Sequence, residues 1–175
     1  MGQKLDYMAK KLAIGYIKKF DQIKEQGKGF YFYSQTKGSG KTSLMASMGN
    51  ALMKTHFASV RVLTTNNLLH AIKNTFETEG YYKLMEQIKR VDILMLDDFG
   101  GERPTEWVNE VFYTILNDRM TGNKITFFTS NTEIEALQYG ESIVNRVMKM
   151  AMPIKFPEES IREGIAKKTK VSWLC

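Results

Sequence analysis

Three short stretches carry side chains whose types and spacing could do chemistry: Gln35-Thr36-Lys37-Gly38-Ser39-Gly40-Lys41-Thr42-Ser43, the pair Asp97-Asp98, and Asn131. The first is a phosphate cradle. A loop that ends a strand and re-enters as a helix points several backbone N–H groups, and the positive end of the helix dipole, at one place. A polyphosphate fits there. Lys41 would reach the outer phosphates as a point charge, and the Thr42 hydroxyl would ligate Mg²⁺, a cation that demands oxygen donors. The pattern G-x-x-x-x-G-K-[ST] is met except at its first position, where Gln35 stands. If that position needs φ > 0, a non-glycine residue there costs about 1–2 kcal/mol of strain, which predicts weakened nucleotide affinity.

Asp97 and Asp98 follow the apolar run Ile93 to Leu96. A continuous apolar run of that length reads as a strand buried on both faces, and its carboxyl end is where open α/β sheets bind ligands. This is the Walker B arrangement. Asp97 would hold the Mg²⁺ directly or through water, and Asp98 sits where a carboxylate orients and polarises an attacking water. Aspartate is one methylene shorter than the glutamate often found at such a position, so slow hydrolysis is expected. Taken alone, the pair also fits a turn or helix cap. Asn131 ends a third apolar stretch, Ile125 to Asn131, and would stand beside the γ-phosphate; capping a helix that begins near Glu133 is compatible with that role.

The elements that must position these groups follow from periodicity. Phe30 to Tyr33 reads as the strand before the loop, and Lys41 onward as a helix with Leu44, Met48, Ala51 and Leu52 on one face. Ser59 to Thr64 reads as the second strand. Asn66 would cap a helix through Phe76 with Leu68, Leu69 and Ile72 inward, and Gly80 separates it from a helical run at Tyr81 to Arg90. Pro104 opens a helix that buries Trp107, Val108, Val111, Phe112, Ile115 and Leu116. Ahead of everything, Leu5, Met8, Leu12, Tyr16, Phe20 and Ile23 recur at helical spacing and predict an amphipathic helix with those residues inward. Strands alternating with helices predict a mostly parallel sheet covered on both faces.

Composition narrows the class. The chain has 175 residues, 43% hydrophobic and 25% charged, which excludes a disordered polymer and fits one domain with a sizeable core. A formal charge of +6 favours acidic partners, nucleotide and nucleic acid among them. The single cysteine, Cys175, is the last residue, so no internal disulfide forms and a reducing compartment, by default the cytoplasm, is expected. No apolar run approaches a membrane span, and Lys4, Asp6, Lys10 and Lys11 stand where a signal peptide would be apolar.

Taken together, the phosphate loop, Leu94-Met-Leu-Asp-Asp-Phe-Gly100, the helix ending Asp118-Arg-Met120, Phe127-Phe-Thr-Ser-Asn131, and Asn145-Arg-Val-Met148 followed by Pro153-Ile-Lys-Phe156 resemble bacterial replicative helicase loaders of the DnaC/DnaI type. The resemblance runs from about Gly27 to Phe156. It implies an α/β P-loop AAA+ core with a five-stranded, mostly parallel sheet and a helical insertion before the Walker B strand. It also implies an ATP- and Mg²⁺-dependent homo-oligomer that places a ring helicase on single-stranded DNA. By the same resemblance Lys41 and Thr42 match the Walker A contacts, Asp97 and Asp98 the Walker B pair, Asn131 sensor 1 and Arg146 the box VII arginine that reaches a neighbouring subunit's nucleotide. Arg162, in Ser160-Ile161-Arg162, is a candidate sensor 2 residue.

The division implied is 1–26 as an N-terminal amphipathic helix, 27–157 as the ATPase domain and 158–175 as a basic tail. Lys73, Lys83, Lys89, Lys167, Lys168 and Lys170 are candidate DNA-backbone contacts, equally explained as a solvated basic face. Tyr81 and Tyr82 could stack on bases or pack between the insertion helices. Family members carry a helicase-binding region ahead of the ATPase, yet fewer than thirty residues precede the loop strand, implying an excised domain or a partner element elsewhere. Ser142 stands where relatives often carry another arginine. Two other functions fit the same motifs: an ATPase subunit assisting a transposase, and a nucleotide-insensitive adaptor with a degenerate loop, which Gln35 favours. A small-molecule phosphotransferase lacks a second substrate motif.

Overall fold

The computed structural model describes residues 2–158, with side chains from residue 7 onward, so Arg162, the lysines at 167, 168 and 170, and Cys175 lie outside the described residues. Five strands form one parallel sheet: β1 (Gly29–Tyr33), β2 (Val60–Thr64), β3 (Ile93–Asp97), β4 (Ile125–Ser130) and β5 (Ala151–Lys155), in the order β2-β3-β4-β1-β5. The phosphate-loop strand thus lies next to β4, and β4 next to the strand that ends in Asp97. That order brings the three chemical stretches of the sequence to one edge.

Seven helices cover the sheet among the described residues: α1 (Gly2–Lys18), α2 (Phe20–Ile23), α3 (Lys41–His56), α4 (Thr65–Thr75), α5 (Glu79–Arg90), α6 (Glu106–Thr121) and α7 (Glu141–Met150). Strand residues divide by parity. Phe30, Phe32, Ile93, Met95, Ile125 and Phe127 pack with Ala9, Ala13, Tyr16, Met45, Met48 and Leu52 of α1 and α3 on one face. Tyr31, Leu94, Leu96 and Phe128 pack with residues of α4 to α7 on the other. The inner strands β1, β3 and β4 are buried on both faces, which is why they read as largely apolar runs and not as alternating ones, whereas the edge strands β2 and β5 are partly exposed. The two consecutive helices α4 and α5 lie between β2 and β3, where the sequence predicts them.

Of the N-terminal residues expected inward, Tyr16 and Phe20 are buried and Ile23 is half-buried, but the earlier turns present another face. Ala9, Ala13, Tyr16 and Phe20 are buried, while Met8 and Leu12 are 53% and 40% exposed; the side chain of Leu5 lies outside the described ones. The reason is packing distance. Two alanines one turn apart let α1 approach α3 closely, and the larger Met8 and Leu12 are displaced to the flank. The α3 face is likewise rotated slightly: Met45, Met48 and Leu52 are buried, and Leu44 and Ala51 are half-buried. Thr64, not Asn66, caps α4, its hydroxyl accepting from the Asn67 N–H at 3.2 Å. After Asn131 only a 3₁₀ turn at Ile134–Ala136 forms, with α7 starting at Glu141. Asn131 therefore caps no helix.

One buried cation ties the far end of the sheet together. Arg119, near the end of α6, is fully buried, with Nη1 donating to the carbonyls of Ile88 (2.6 Å) and Val91 (2.9 Å) and Nη2 to that of Ile125 (2.6 Å). Its Nε donates to the Thr126 hydroxyl at 3.0 Å. The fork of a guanidinium serves the end of α5, the entry to β3 and the start of β4 at once.

Candidate functional site

The phosphate loop begins at Ser34, immediately after β1, and ends where Lys41 opens α3. Gly38 and Gly40 hold φ of 81° and 96°, the left-handed region that a side chain resists. Gln35 does not: the non-glycine residues with positive φ among those described are Phe57, Glu77, Asp98 and Asn123. The strain expected at Gln35 is absent. Position 35 uses a backbone conformation open to any residue, and the turn is made at Gly38 and Gly40 instead.

Lys41 is buried, with Nζ donating to the carbonyls of Ser34 and Thr36 (3.1 Å each), the Ser39 hydroxyl (3.3 Å) and Asn131 Oδ1 (3.2 Å). Burial pushes its pKa down, opposed by the nearby carboxylates of Glu158, Asp98 and Asp97. Above it opens a cleft of about 670 Å³ lined by residues 37–44, Asp97, Asp98, Thr129, Ser130 and Asn131, with Lys10 and Asn66 on its walls. Every residue from Lys37 to Ser43 that the sequence assigns to phosphate contact lines this cleft; Gln35 and Thr36 stand at the loop's entry, behind it.

Asp97 ends β3 with Oδ1 accepting from two hydroxyls, Thr42 at 2.7 Å and Thr129 at 2.5 Å. Thr129 is the residue that the sequence reading missed. Its hydroxyl also accepts from the Asp98 N–H at 3.0 Å, so it fixes both members of the acidic pair. Its signal is register, Leu96 beside Phe128, which places the next residues of β3 and β4 side by side. Asp98 turns at φ 59°, a left-handed conformation that costs an aspartate on the order of 1 kcal/mol and aims its carboxylate back at the cleft. There Asn131 Nδ2 donates to Asp98 Oδ1 at 2.9 Å. Lys41, Asn131 and Asp98 form one hydrogen-bonded chain.

Behind the acidic pair, the Thr65 hydroxyl lies 2.9 Å from both the Asp98 carbonyl and Glu102 Oε2. Burial pushes the Glu102 carboxyl up, with Asp98 adding to the shift, and its Oε1 is buried without a hydrogen-bond partner. For a metal, the Thr42 hydroxyl and the Asp97 carboxylate are hard oxygen donors at one point of the cleft, and no cluster of three or more His, Cys, Asp or Glu occurs among the described residues. That donor set fits Mg²⁺, which takes one or two protein oxygens and leaves its other positions to phosphate and water.

Arg146 is elsewhere. On α7 it donates from Nη2 and Nε to Asn117 Oδ1 (2.9 and 3.3 Å) and from Nη1 to the Ser142 carbonyl (2.9 Å), and it lies 4.0 Å over the Tyr113 ring. It does not line the cleft of its own chain. Among the basic residues of the insertion helices, Lys83 pairs with Glu79 and Lys89 with Asp118. Tyr81 packs against the α4–α5 core, whereas Tyr82 is 69% exposed. No helix of the described residues is long and apolar enough to cross a membrane.

Comparison with known proteins follows the same lines. The family model described as the bacterial DnaA ATPase domain matches residues 10–155. The replicative helicase loader DnaI of Bacillus subtilis is 30% identical over 152 residues, covering 78% of this chain and 48% of its own. A crystal structure of DnaI superposes with a TM-score of 0.74 at 29% identity, over 86% of this chain and 84% of that one. AMPPCP-bound DnaA from Aquifex aeolicus, at 19% identity, shares the fold with a TM-score of 0.75, over 97% of this chain and 51% of that one. The chain spans about half the length of the curated relatives it matches.

Proposed function

The chain belongs to the bacterial DnaA ATPase-domain family, and from that premise we propose that it is the ATP-binding and hydrolysing AAA+ domain of a replicative helicase loader. The observation that carries the catalytic half is the chain Lys41–Asn131–Asp98 beside the doubly hydrogen-bonded Asp97. Lys41 holds the outer phosphates once it exchanges the loop carbonyls for phosphate oxygens. Asn131 and Asp98 orient a water in line with the γ-phosphorus; as its oxygen bonds to phosphorus, the bond from phosphorus to the β–γ bridging oxygen breaks, ADP departs with that electron pair, and Asp98 accepts the water's proton. Thr42 and Asp97 would hold Mg²⁺, which when bound would neutralise part of the phosphate charge. Arg146, turned away from its own cleft, serves the nucleotide of a neighbouring copy, so turnover depends on assembly.

The loader half rests on the likeness to DnaI. Its partners are then a ring-shaped replicative helicase and single-stranded DNA, the latter met through Lys73, and through Lys83 and Lys89 where phosphate displaces Glu79 and Asp118 from them. A nucleotide-insensitive adaptor loses its argument, because Gln35 is unstrained. ATP hydrolysis per subunit, measured over a range of protein concentrations with and without single-stranded DNA, tests the reading. A specific rate that climbs with concentration is expected; a chain that neither binds nor hydrolyses ATP at any concentration overturns it. Mixing with a replicative helicase and assaying its transfer to closed-circular single strands tests the loader half, and no transfer sinks it.

A further inference from the structure

The carboxylate of Glu158, three residues beyond β5, reaches the mouth of the phosphate loop. Its Oε2 accepts from the Thr36 N–H (2.9 Å), the Thr36 hydroxyl (3.0 Å) and the Ser34 hydroxyl (3.0 Å), and its Oε1 from the Gln35 N–H (3.2 Å). Four donors converge on one side chain that nothing in the phosphate-loop pattern calls for. The peptides that it grips are the ones on which Lys41 rests, since Ser34 and Thr36 offer their carbonyls to Nζ. The Ser34 hydroxyl also sits 3.2 Å from the Thr36 N–H, closing the entry turn on itself.

We propose that Glu158 is a positioning residue for nucleotide binding: a built-in anion that fixes the entry of the phosphate loop, and with it the starting position of Lys41. The inference rests on the ATP reading above and deepens it. Glu158 does not line the cleft, so it does not compete for the phosphate; it saturates the donors at 34–36 from behind. When phosphate draws Lys41 away from the loop carbonyls, the entry turn keeps its shape because its N–H groups and hydroxyls stay occupied. The same contact accounts for Gln35, whose N–H is used by Glu158 in a conformation that requires no glycine. Modest burial raises the Glu158 pKa, but hydrogen bonds from Gln35, Thr36 and Ser34 outweigh it and hold the carboxyl below its usual range, so the clasp is charged at neutral pH.

The test is a titration of the full chain with a fluorescent ATP analogue and Mg²⁺, with steady-state hydrolysis and nucleotide-free thermal unfolding alongside. Wild type, Glu158→Ala, Glu158→Gln, Glu158→Lys and Lys41→Ala are compared. Glu158→Ala is expected to weaken binding and raise KM about tenfold, with kcat at saturation within about twofold; Glu158→Gln, which keeps an acceptor oxygen, recovers to within about threefold of wild type. An anchor for the end of β5 and nothing more would lower the unfolding temperature and leave affinity unchanged. Unchanged or tighter binding by folded Glu158→Ala overturns the proposal, and if that variant does not fold, wild-type affinity in Glu158→Lys, which puts a donor where the acceptors stood, does so. Binding lost in Lys41→Ala but kept in Glu158→Ala overturns this inference alone. A wild-type chain that does not bind the analogue overturns the ATP reading and this with it.

Discussion

Arg119, fully buried, and Glu102, half-buried, are two ionisable side chains with opposite consequences. Arg119 is pushed down by burial to about 10, partly offset by Asp92, and so stays charged at neutral pH, its charge met by carbonyl dipoles and the Thr126 hydroxyl. Arg119→Ala leaves those acceptors unpaired around a cavity and is expected to cost about 3–5 kcal/mol, lowering the unfolding temperature by roughly 10 °C. Thermal melts of that variant and of Arg119→Lys, which lacks the fork and should recover less than half of the loss, check it. Glu102 is instead favoured in its neutral form by the fold. A carboxyl raised in the folded state contributes stability below its unfolded range, near 4.5, and loses it as pH climbs through the raised value. Glu102→Gln, neutral at every pH and able to offer N–H toward the orphaned oxygen's surroundings, should therefore melt above wild type at pH 7. The gap should close as pH falls toward 4.5; a gap independent of pH would mean that folding does not shift the titration of this carboxyl.

Elements were legible where their signal is local. The Ile93-to-Leu96 strand, the loop from Gln35 to Gly40 and the two helices before β3 all appear where periodicity and turn chemistry put them, except that Gly80 lies inside α5 and not between the helices. What the sequence did not disclose depends on neighbours in space. Thr129 acquires its role from the register of β4 against β3, and Glu158 from the return of the chain after β5. Gln35 looked costly only because a consensus glycine was equated with a positive φ that the backbone does not adopt there. Met8 and Leu12 were placed inward from helical spacing alone, whereas Ala9 and Ala13 are the residues buried there, because close approach to α3 selects a small side chain. That correction is testable on the element itself. Ala13→Leu should overpack the α1–α3 contact and cost about 1–3 kcal/mol, whereas Leu12→Lys should stay within about 0.5 kcal/mol of wild type. Denaturant titration of the pair checks it, and the reverse ranking would restore the face expected from the sequence.

At the scale of the molecule, one chain carries both halves of the proposed reaction but keeps them apart. Lys41, Asp97, Asp98 and Asn131 face one cleft, while Arg146 is held by Asn117, Ser142 and Tyr113 on another surface. A site that needs a group from the next copy is head-to-tail by geometry, because the surface giving Arg146 and the surface giving the cleft are different. Such a site can be rebuilt from two defective chains. Lys41→Ala removes the phosphate contact and leaves Arg146 to donate; Arg146→Ala leaves a complete cleft and nothing to donate. Each variant alone should hydrolyse ATP at least tenfold more slowly than wild type at protein concentrations where the wild type has reached its full specific rate. An equal mixture should recover about a quarter of the wild-type rate, since half of the positions carry an intact cleft and half of those face an intact arginine. Steady-state ATPase assays on the mixture at fixed total protein check the ratio. A mixture no faster than its components would place Arg146 outside the reaction, and full activity of Arg146→Ala alone would show that the cleft works without a neighbour.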